Sequence, residues 1–192
     1  MGGLQIEKNS PAKNTMKTFK QYLREQQTSK ILHILRGISG SGKSTLSRQI
    51  LKNAAENQRT AAVLSTDRFF MTPEGEYKFD QSKHKENHAK NISAAIDHMD
   101  QGTHHVIIDN TNLEHHRMRP YVSAAVERGY DIRFHDIHEN DPNNIDIDSS
   151  LRNMERREKS IPGSNHGIEV LRRQQRSYEP FETDNPVQEI LK

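Results

Sequence analysis

A glycine-rich segment, GISGSGKST over residues 37–45, constrains the fold of this chain more than any other feature. It fits the pattern G-x-x-x-x-G-K-[ST] of phosphate-binding loops, or P-loops. The apolar run ILHIL before it predicts a buried strand over residues 31–36, and the apolar spacing after it predicts a helix over residues 43–57. Strand, glycine turn and helix in this order are the context in which the pattern indicates a phosphate site.

The chemistry of this loop follows from its residue types. Glycines let successive backbone N–H groups converge on one anion, and the following helix adds the positive end of its dipole. Lys43 supplies a charge for the β- and γ-phosphates, and the Ser44 hydroxyl is a ligand for Mg²⁺. The sequence therefore predicts a site for ATP and Mg²⁺, formed by Gly37, Ser39, Gly40, Ser41, Gly42, Lys43, Ser44 and Thr45.

Strands and helices alternate along most of the chain. Further strands are predicted at residues 61–65, 106–109 and 130–136, with helical patterns between them that stop at Gly102 and Gly129. This alternation is typical of an α/β fold. We expect a P-loop kinase fold, with a parallel sheet of four or five strands sandwiched by helices and a basic helical lid.

Length and composition set the domain organisation and exclude several site types. A chain of 192 residues suits one domain. We expect a kinase domain at residues 31–180, with its lid at about 137–166. An N-terminal extension with a short helix (1–30) and a C-terminal tail (181–192) flank it. The chain has no cysteine, which excludes disulfides and thiolate metal sites, and it has no apolar run of membrane-spanning length. These features favour a soluble cytoplasmic protein.

Two acidic residues follow predicted strands, where an open parallel sheet binds its ligands. Asp109 follows strand three and is a candidate Mg²⁺ ligand with Ser44, although it could instead cap the next helix, as could Asn110 or Asn112. Asp67 follows strand two. We expect it to act as the general base that accepts the proton of a bound hydroxyl, and the alternative is an N-cap for the turn at 68–71.

Two basic helices are predicted at about 149–159 and 167–178. Arg156, with Arg152 one turn earlier on the same face, is the candidate arginine for a phosphoryl transition state. The alternative is a solvated charged face, which we favour for Arg172, Arg173 and Arg176. The 11 histidines do not indicate a metal site, because adjacent residues in the pairs at 104–105 and 115–116 point apart.

Four segments together resemble the P-loop 5′-polynucleotide kinase family. They are LRGISGSGKST at 35–45, VLSTD at 63–67, IIDNTN at 107–112 and MRPY at 118–121. The family includes the kinase domain of phage polynucleotide kinase and a related animal group of ubiquitin-ligase-binding proteins. The similarity covers roughly residues 31–178 and is closest to the animal group over about 35–136.

The resemblance implies roles for individual positions. Lys43 and Ser44 match the ATP·Mg²⁺ residues, Asp67 matches the general base, and Arg156, assisted by Arg152, matches the transition-state arginine of the lid. Three departures stand out. Asn110 replaces an aspartate of the phage enzyme, while Asp109 fits the animal pattern. Phe70 stands where an arginine binds the acceptor phosphate. Four additional residues, 163–166, lie in the lid.

These features lead to one main functional expectation with two alternatives. We expect an ATP-dependent kinase that transfers the γ-phosphate to a hydroxyl, with the 5′-OH of a nucleic acid as the first choice of acceptor. A kinase for a nucleoside, sugar or nucleotide-sugar is one alternative, and a non-catalytic ATP-binding module is the other. No N-K-x-D guanine-reading motif is present, which argues against a GTPase.

Overall fold

The computed structural model describes residues 29–192, and its centre is a four-stranded sheet. The strands are β1 (Ile31–Arg36), β2 (Ala61–Leu64), β3 (His105–Ile108) and β4 (Asp131–Asp136). Their order is β2-β3-β1-β4, and every neighbouring pair is parallel. The predicted α/β fold is therefore confirmed, with four strands. The helix predicted before residue 30 lies outside the described residues.

The main core lies on one face of this sheet. The helices α2 (His84–Asp100) and α3 (His115–Glu127) cover that face. Alternate side chains of a strand point to opposite faces, so Leu32 and Ile34 of β1 point the same way and are completely buried there. The facing helices contribute apolar side chains at helical spacing, among them Ala95, Met99, Met118, Tyr121, Val122 and Ala125.

The helix α1 (Lys43–Glu56) follows the P-loop and packs against the opposite face of the sheet. Beyond β4, the helices α4 (Ile147–Glu158) and α5 (Gly167–Arg176) pack against each other. A second apolar cluster fixes this pair to the residues that follow β1, and its members include Ile38, Leu113, Met154, Leu171 and Tyr178. The predicted basic helices are therefore present, and each has a buried face.

The predicted C-terminal tail contains a helix, α6 (Pro186–Leu191), that packs against α3. Ile190 of this helix is completely buried in the main core. Just before it, the chain passes over Arg36, whose guanidinium donates to the Glu179 carbonyl (2.6 Å) and stacks on the Phe181 ring. The tail is thus part of the folded unit. Among the described helices, none combines the length and the apolar character needed to span a bilayer.

Candidate active site

The P-loop follows β1 and turns at glycines with positive φ. Gly40 and Gly42 have φ values of +78° and +103°, a region that side chains with a Cβ disfavour. The backbone N–H groups of Gly40, Gly42, Lys43 and Ser44 donate to no acceptor in the part of the chain that the structure describes. They lie at the start of α1, where the helix dipole favours a negative charge. The loop therefore has the free donors that a phosphate requires.

Side chains of α4 and α5 hold the outer side of this loop. The Asn153 amide donates to the Gly40 carbonyl at 2.9 Å. Gln174 and Ser39 form a reciprocal pair, because the Gln174 oxygen accepts from the Ser39 N–H (2.8 Å) and its NH₂ donates to the Ser39 hydroxyl (3.0 Å). A Cβ on Gly40 would lie 2.3 Å from the Ser150 carbonyl oxygen, so glycine is required for this close approach.

Lys43 is buried beneath the loop. Its ammonium donates to the carbonyls of Gly37 (2.9 Å) and Ile38 (2.8 Å). Burial lowers the pKa of Lys43 to about 8, while the carboxylates of Asp109 and Asp67 act in the opposite direction. Both candidate acids therefore act on this one ammonium, although they come from the ends of different strands.

The residues proposed to hold Mg²⁺ are chemically suited to it. Ser44 presents an exposed hydroxyl, and the Asp109 carboxylate accepts a hydrogen bond from the Ser47 hydroxyl at 3.1 Å. Oxygen ligands suit Mg²⁺, which takes few protein ligands and completes its shell with water and substrate phosphates. In residues 29–192, no group of three or more His, Cys, Asp or Glu side chains could hold a metal by itself.

The asparagines after β3 have structural contacts instead. The Asn110 side-chain oxygen accepts from the Thr66 N–H at 2.9 Å, and the Asn112 amide donates to the Leu35 carbonyl at 2.8 Å. The helix that follows begins only at His115, and its N-cap is Glu114. Asp109 therefore does not cap that helix.

Asp67 lies in a short 3-10 turn, Thr66–Phe70, whose N-cap is Ser65. Its side chain is half exposed and accepts a hydrogen bond from the Tyr77 hydroxyl at 3.3 Å. Burial and the neighbouring Asp67 carboxylate raise the pKa of Tyr77 well above its usual value, so Tyr77 stays protonated as a donor. The Tyr77 hydroxyl thus holds the Asp67 carboxylate by a hydrogen bond, and about half of the Asp67 side chain stays accessible to solvent.

The arginine that reaches this carboxylate is Arg157. Its guanidinium nitrogen Nη2 lies 4.0 Å from Asp67 Oδ2. Arg156 is exposed and makes no hydrogen bond or ion pair with the described residues, and Arg152, also exposed, donates to the Ser149 hydroxyl at 2.7 Å. Neither of the two arginines selected from the sequence therefore contacts Asp67.

A signal for Arg157 is present in the sequence. Met154 is the buried apolar residue of α4, and Arg157 lies three positions after it on the same face. The basic residues of α5 are exposed, and Arg172 pairs with Glu169 on its own helix at 3.3 Å. This is the solvated face that we favoured for them. Gln174 of that helix, which contacts the P-loop, was missed because an uncharged amide in a basic helix carries no signal.

Aromatic side chains line the region next to Asp67. Phe70 is buried and packs against Tyr77 and Phe79, with ring centroids 5.9 Å and 5.0 Å away. Phe70 therefore belongs to the core of this region and cannot substitute for a phosphate-binding arginine. Phe79 is 51% exposed and Phe69 is 42% exposed. The His84 ring lies 6.0 Å from the Phe79 ring, so this aromatic group continues to the start of α2.

The additional lid residues contact the same region. The Tyr77 N–H donates to the Pro162 carbonyl at 2.8 Å, and the His166 ring lies edge-on to the Tyr77 ring at 5.3 Å. The lid loop therefore contacts the residue that hydrogen-bonds to Asp67.

A family model described as "AAA domain" matches residues 32–181, which is most of the chain. The chain belongs to this family. In sequence it is similar to NEDD4-binding protein 2 of Homo sapiens, with 36% identity over 104 residues. That match covers 54% of this chain but only 6% of the relative.

Solved structures share the fold. A chain of the Pnkp1/Rnl/Hen1 RNA repair complex is 16% identical, with a TM-score of 0.54 over 79% of this chain and 47% of that one. The crystal structure of APE1195 is 15% identical, with a TM-score of 0.52 over 85% and 91% of the two chains.

The predicted membership of a P-loop polynucleotide-kinase-like family is confirmed by the AAA domain match and the sequence relative. The chain is thus a P-loop kinase-like domain with a nucleotide-binding loop. The individual roles of Lys43, Asp67, Asp109, Arg152 and Arg156 are not tested by these comparisons and stay predictions.

Proposed function

We propose that this chain is an ATP-dependent kinase that transfers the γ-phosphate to a hydroxyl, with the 5′-OH of a nucleic acid as acceptor. The position of Asp67 carries the proposal. This half-exposed carboxylate lies at the end of β2, where its charge acts on the Lys43 ammonium of the P-loop. A loop that only bound nucleotide would not need a solvent-accessible carboxylate close to the Lys43 ammonium.

The donor side consists of the P-loop and its neighbours. The free N–H groups of Gly40, Gly42, Lys43 and Ser44 would bind the phosphates of ATP, and the Lys43 ammonium would exchange its two carbonyl partners for phosphate oxygens. Ser44 and Asp109 would hold Mg²⁺, which when bound neutralises charge on the phosphate oxygens. In this arrangement the loop would hold the phosphate chain with its terminal group toward Asp67.

The acceptor side depends on Asp67. Its carboxylate would accept the proton of the acceptor hydroxyl while that oxygen forms a bond to the γ-phosphorus, and the bond from the γ-phosphorus to the bridging oxygen breaks to release ADP. Tyr77 holds the carboxylate by its hydrogen bond. Arg157, 4.0 Å from Asp67, is better placed than Arg156 to meet the charge of the transferred phosphoryl group.

The exposed rings next to Asp67 support a nucleic-acid acceptor. Phe69 and Phe79 present aromatic faces to solvent, and the side chains of Arg68 and Lys83 are exposed in the same region. Aromatic faces stack on bases without regard to sequence, and cations attract the phosphate backbone. A strand end lying on these rings would place its terminal hydroxyl near the base.

The test is transfer of labelled γ-phosphate from ATP to 5′-OH DNA, 5′-OH RNA, nucleosides and sugars. Asp67→Asn keeps the shape and removes the basic carboxylate, so transfer should fall by roughly 10²–10⁴-fold with nearly unchanged ATP affinity. Asp97→Asn, an exposed acid of α2, is the matched control and should retain full activity.

Each outcome has a defined meaning. Wild-type rates in Asp67→Asn would remove the proposed base. Transfer only to nucleosides or sugars would replace the nucleic-acid acceptor with a small molecule. If the wild type transfers to none of these acceptors, the chain is better described as a binding module.

A further inference from the structure

Three histidines form a hydrogen-bonded chain across the sheet, on the face opposite the main core. His33 of β1 lies at the centre. Its Nδ1 is 2.9 Å from His135 Nε2 of β4, and its Nε2 is 3.0 Å from His105 Nδ1 of β3. The three rings are stacked at centroid distances of 5.2 Å and 5.3 Å. None of these residues belongs to the candidate active site.

The histidine chain lines a cavity of about 590 Å³ between the sheet and the C-terminal half of α1. The other polar side chains lining it are those of Arg59, Arg133, Asn53 and Asn57. No carboxylate lines it, and neither guanidinium makes a hydrogen bond or ion pair within the described range 29–192. The P-loop contributes no lining residue, so this cavity is separate from the nucleotide site.

The charges around the histidines are uniformly positive. Burial, followed by the neighbouring His135, His105 and Arg133, lowers the pKa of His33 to about 3. Burial and Arg133 also lower the pKa of His135. The pKa of His105 is lowered by burial and by the neighbouring His104, Arg133 and Arg59.

No acidic side chain from the strands and helix around the cavity offsets this positive charge. Asp131 is exposed on the same face of β4 but does not line the cavity, and Glu56 of α1 pairs with Lys52 away from it. The charge of the cavity is therefore left without a counterion in the described structure.

A metal ion does not explain the cluster. The nitrogens of His33 face the neighbouring rings, which leaves it no lone pair for a shared metal. The described residues contain no group of three such side chains that could hold one. Paired guanidiniums, amide groups and imidazole N–H groups are instead the donors that bind phosphate oxygens.

We infer that this cavity binds the phosphate group of a small phosphorylated molecule, as a second anion site distinct from the P-loop. Arg59 and Arg133 would pair with the phosphate oxygens, and the asparagine amides and the free ends of the histidine chain would donate the remaining hydrogen bonds. The volume of about 590 Å³ leaves room for more than the phosphate itself.

The histidine chain links this binding to proton uptake. Each neutral imidazole has one proton, so a neutral chain of three rings ends in one N–H donor and one bare nitrogen acceptor. One additional proton converts the acceptor end into a second donor. An anion in the cavity favours that charged form. Between the pKa of the free chain and its higher pKa in the bound state, binding should therefore take up about one proton, and affinity should rise by up to about tenfold for each unit that the pH falls.

The experiment is a titration with pyrophosphate, monitored by the ¹⁵N imidazole resonances of His33, His105 and His135. It uses the wild type and Lys43→Ala, since pyrophosphate also suits a P-loop. We expect saturable shifts of these resonances in both proteins, with a dissociation constant that decreases between pH 7.5 and pH 6.5. The double substitution Arg59→Gln and Arg133→Gln should abolish the shifts.

The matched control is Arg172→Gln together with Arg176→Gln, which removes two exposed arginines of α5 and should leave the titration unchanged. Imidazole resonances that do not move would overturn the inference. So would shifts that persist without Arg59 and Arg133, or that vanish in Lys43→Ala. Loss of kinase activity has no bearing on this result, because the readout is binding at the imidazoles.

Discussion

Gly163 in the lid loop allows a test of how the lid contacts the candidate base. Its φ is +82°, and a Cβ there would lie 2.1 Å from the Tyr77 carbonyl oxygen. Gly75 has a nearly identical φ of +88° but has open space where its Cβ would be. Replacing either glycine with alanine therefore has the same backbone cost, about 1 kcal/mol for a left-handed residue. Only Gly163→Ala adds a steric conflict.

The additional cost at Gly163 can be derived from its contacts. The loop must move to relieve the overlap, which breaks the Tyr77 N–H to Pro162 carbonyl bond of 2.8 Å, worth about 1 kcal/mol net. It also strains the bond from the Gly163 N–H to the Glu158 carboxylate at 2.8 Å. We expect Gly163→Ala to destabilise the protein by about 2–3 kcal/mol and Gly75→Ala by about 1 kcal/mol.

Urea unfolding of both variants measures this difference, and thermal melting should show about 2–4 °C of additional loss for each further kcal/mol in a chain of this size. Because Tyr77 hydrogen-bonds to Asp67, Gly163→Ala should also reduce phosphate transfer, whereas Gly75→Ala should not. Equal stability losses would refute the packing of the lid loop on Tyr77. Unequal losses with equal activities would retain the packing but refute its influence on Asp67.

Two further predictions concern charges at the site. Arg157→Ala should lower turnover by about 10³-fold, and Arg156→Ala should have little effect, since only Arg157 reaches Asp67. A loss of turnover in Arg156→Ala alone would contradict this prediction. Burial lowers the pKa of Lys43 to about 8, so between that value and 10.5 the unfolded chain binds more protons than the folded chain. The free energy of unfolding of the nucleotide-free wild type should therefore rise by about 2 kcal/mol relative to that of Lys43→Met between pH 7.5 and pH 9.5. A difference in urea unfolding that stays constant over this range would contradict the prediction.

The fold could be predicted from the sequence because its signals are local. The strands β1 to β3 are short and mostly apolar runs, and the predicted first strand, 31–36, coincides with the observed Ile31–Arg36. The helical pattern that stops at Gly129 corresponds to α3, which begins at His115. Its first turn is polar and lies outside the apolar periodicity, so the spacing of buried residues could not mark its start.

Contacts between distant segments could not be predicted in this way. Arg36 is a charged residue at a strand end, yet it is completely buried. Its guanidinium pairs with Asp136 at 2.9 Å and donates to the carbonyls of Asn112 and Glu179, which lie far away in sequence. No local pattern indicates such a set of partners. The burial of Ile190 in the tail has the same origin, because it depends on a surface of α3 that only the folded chain presents.

The same distinction applies to the candidate site. Lys43 is found from the P-loop pattern. Asp67 and Asp109 are found from their positions after strands, since parallel strands bring their carboxyl ends together. The spacing of Arg157 from Met154 favours it over Arg156, but the buried face of α4 is fixed by the contact between Gly40 and Ser150, which are far apart in sequence.

One helix therefore contacts both halves of the proposed reaction. Asn153 of α4 donates to the Gly40 carbonyl in the P-loop, and Arg157, one turn further along the helix, reaches Asp67. A helix transmits a displacement along its length because its backbone hydrogen bonds hold it rigid. Any movement of Gly40 that accompanies phosphate binding would thus shift Arg157 relative to the base. We therefore expect the position of Arg157 to depend on the occupancy of the P-loop, through the packing of α4.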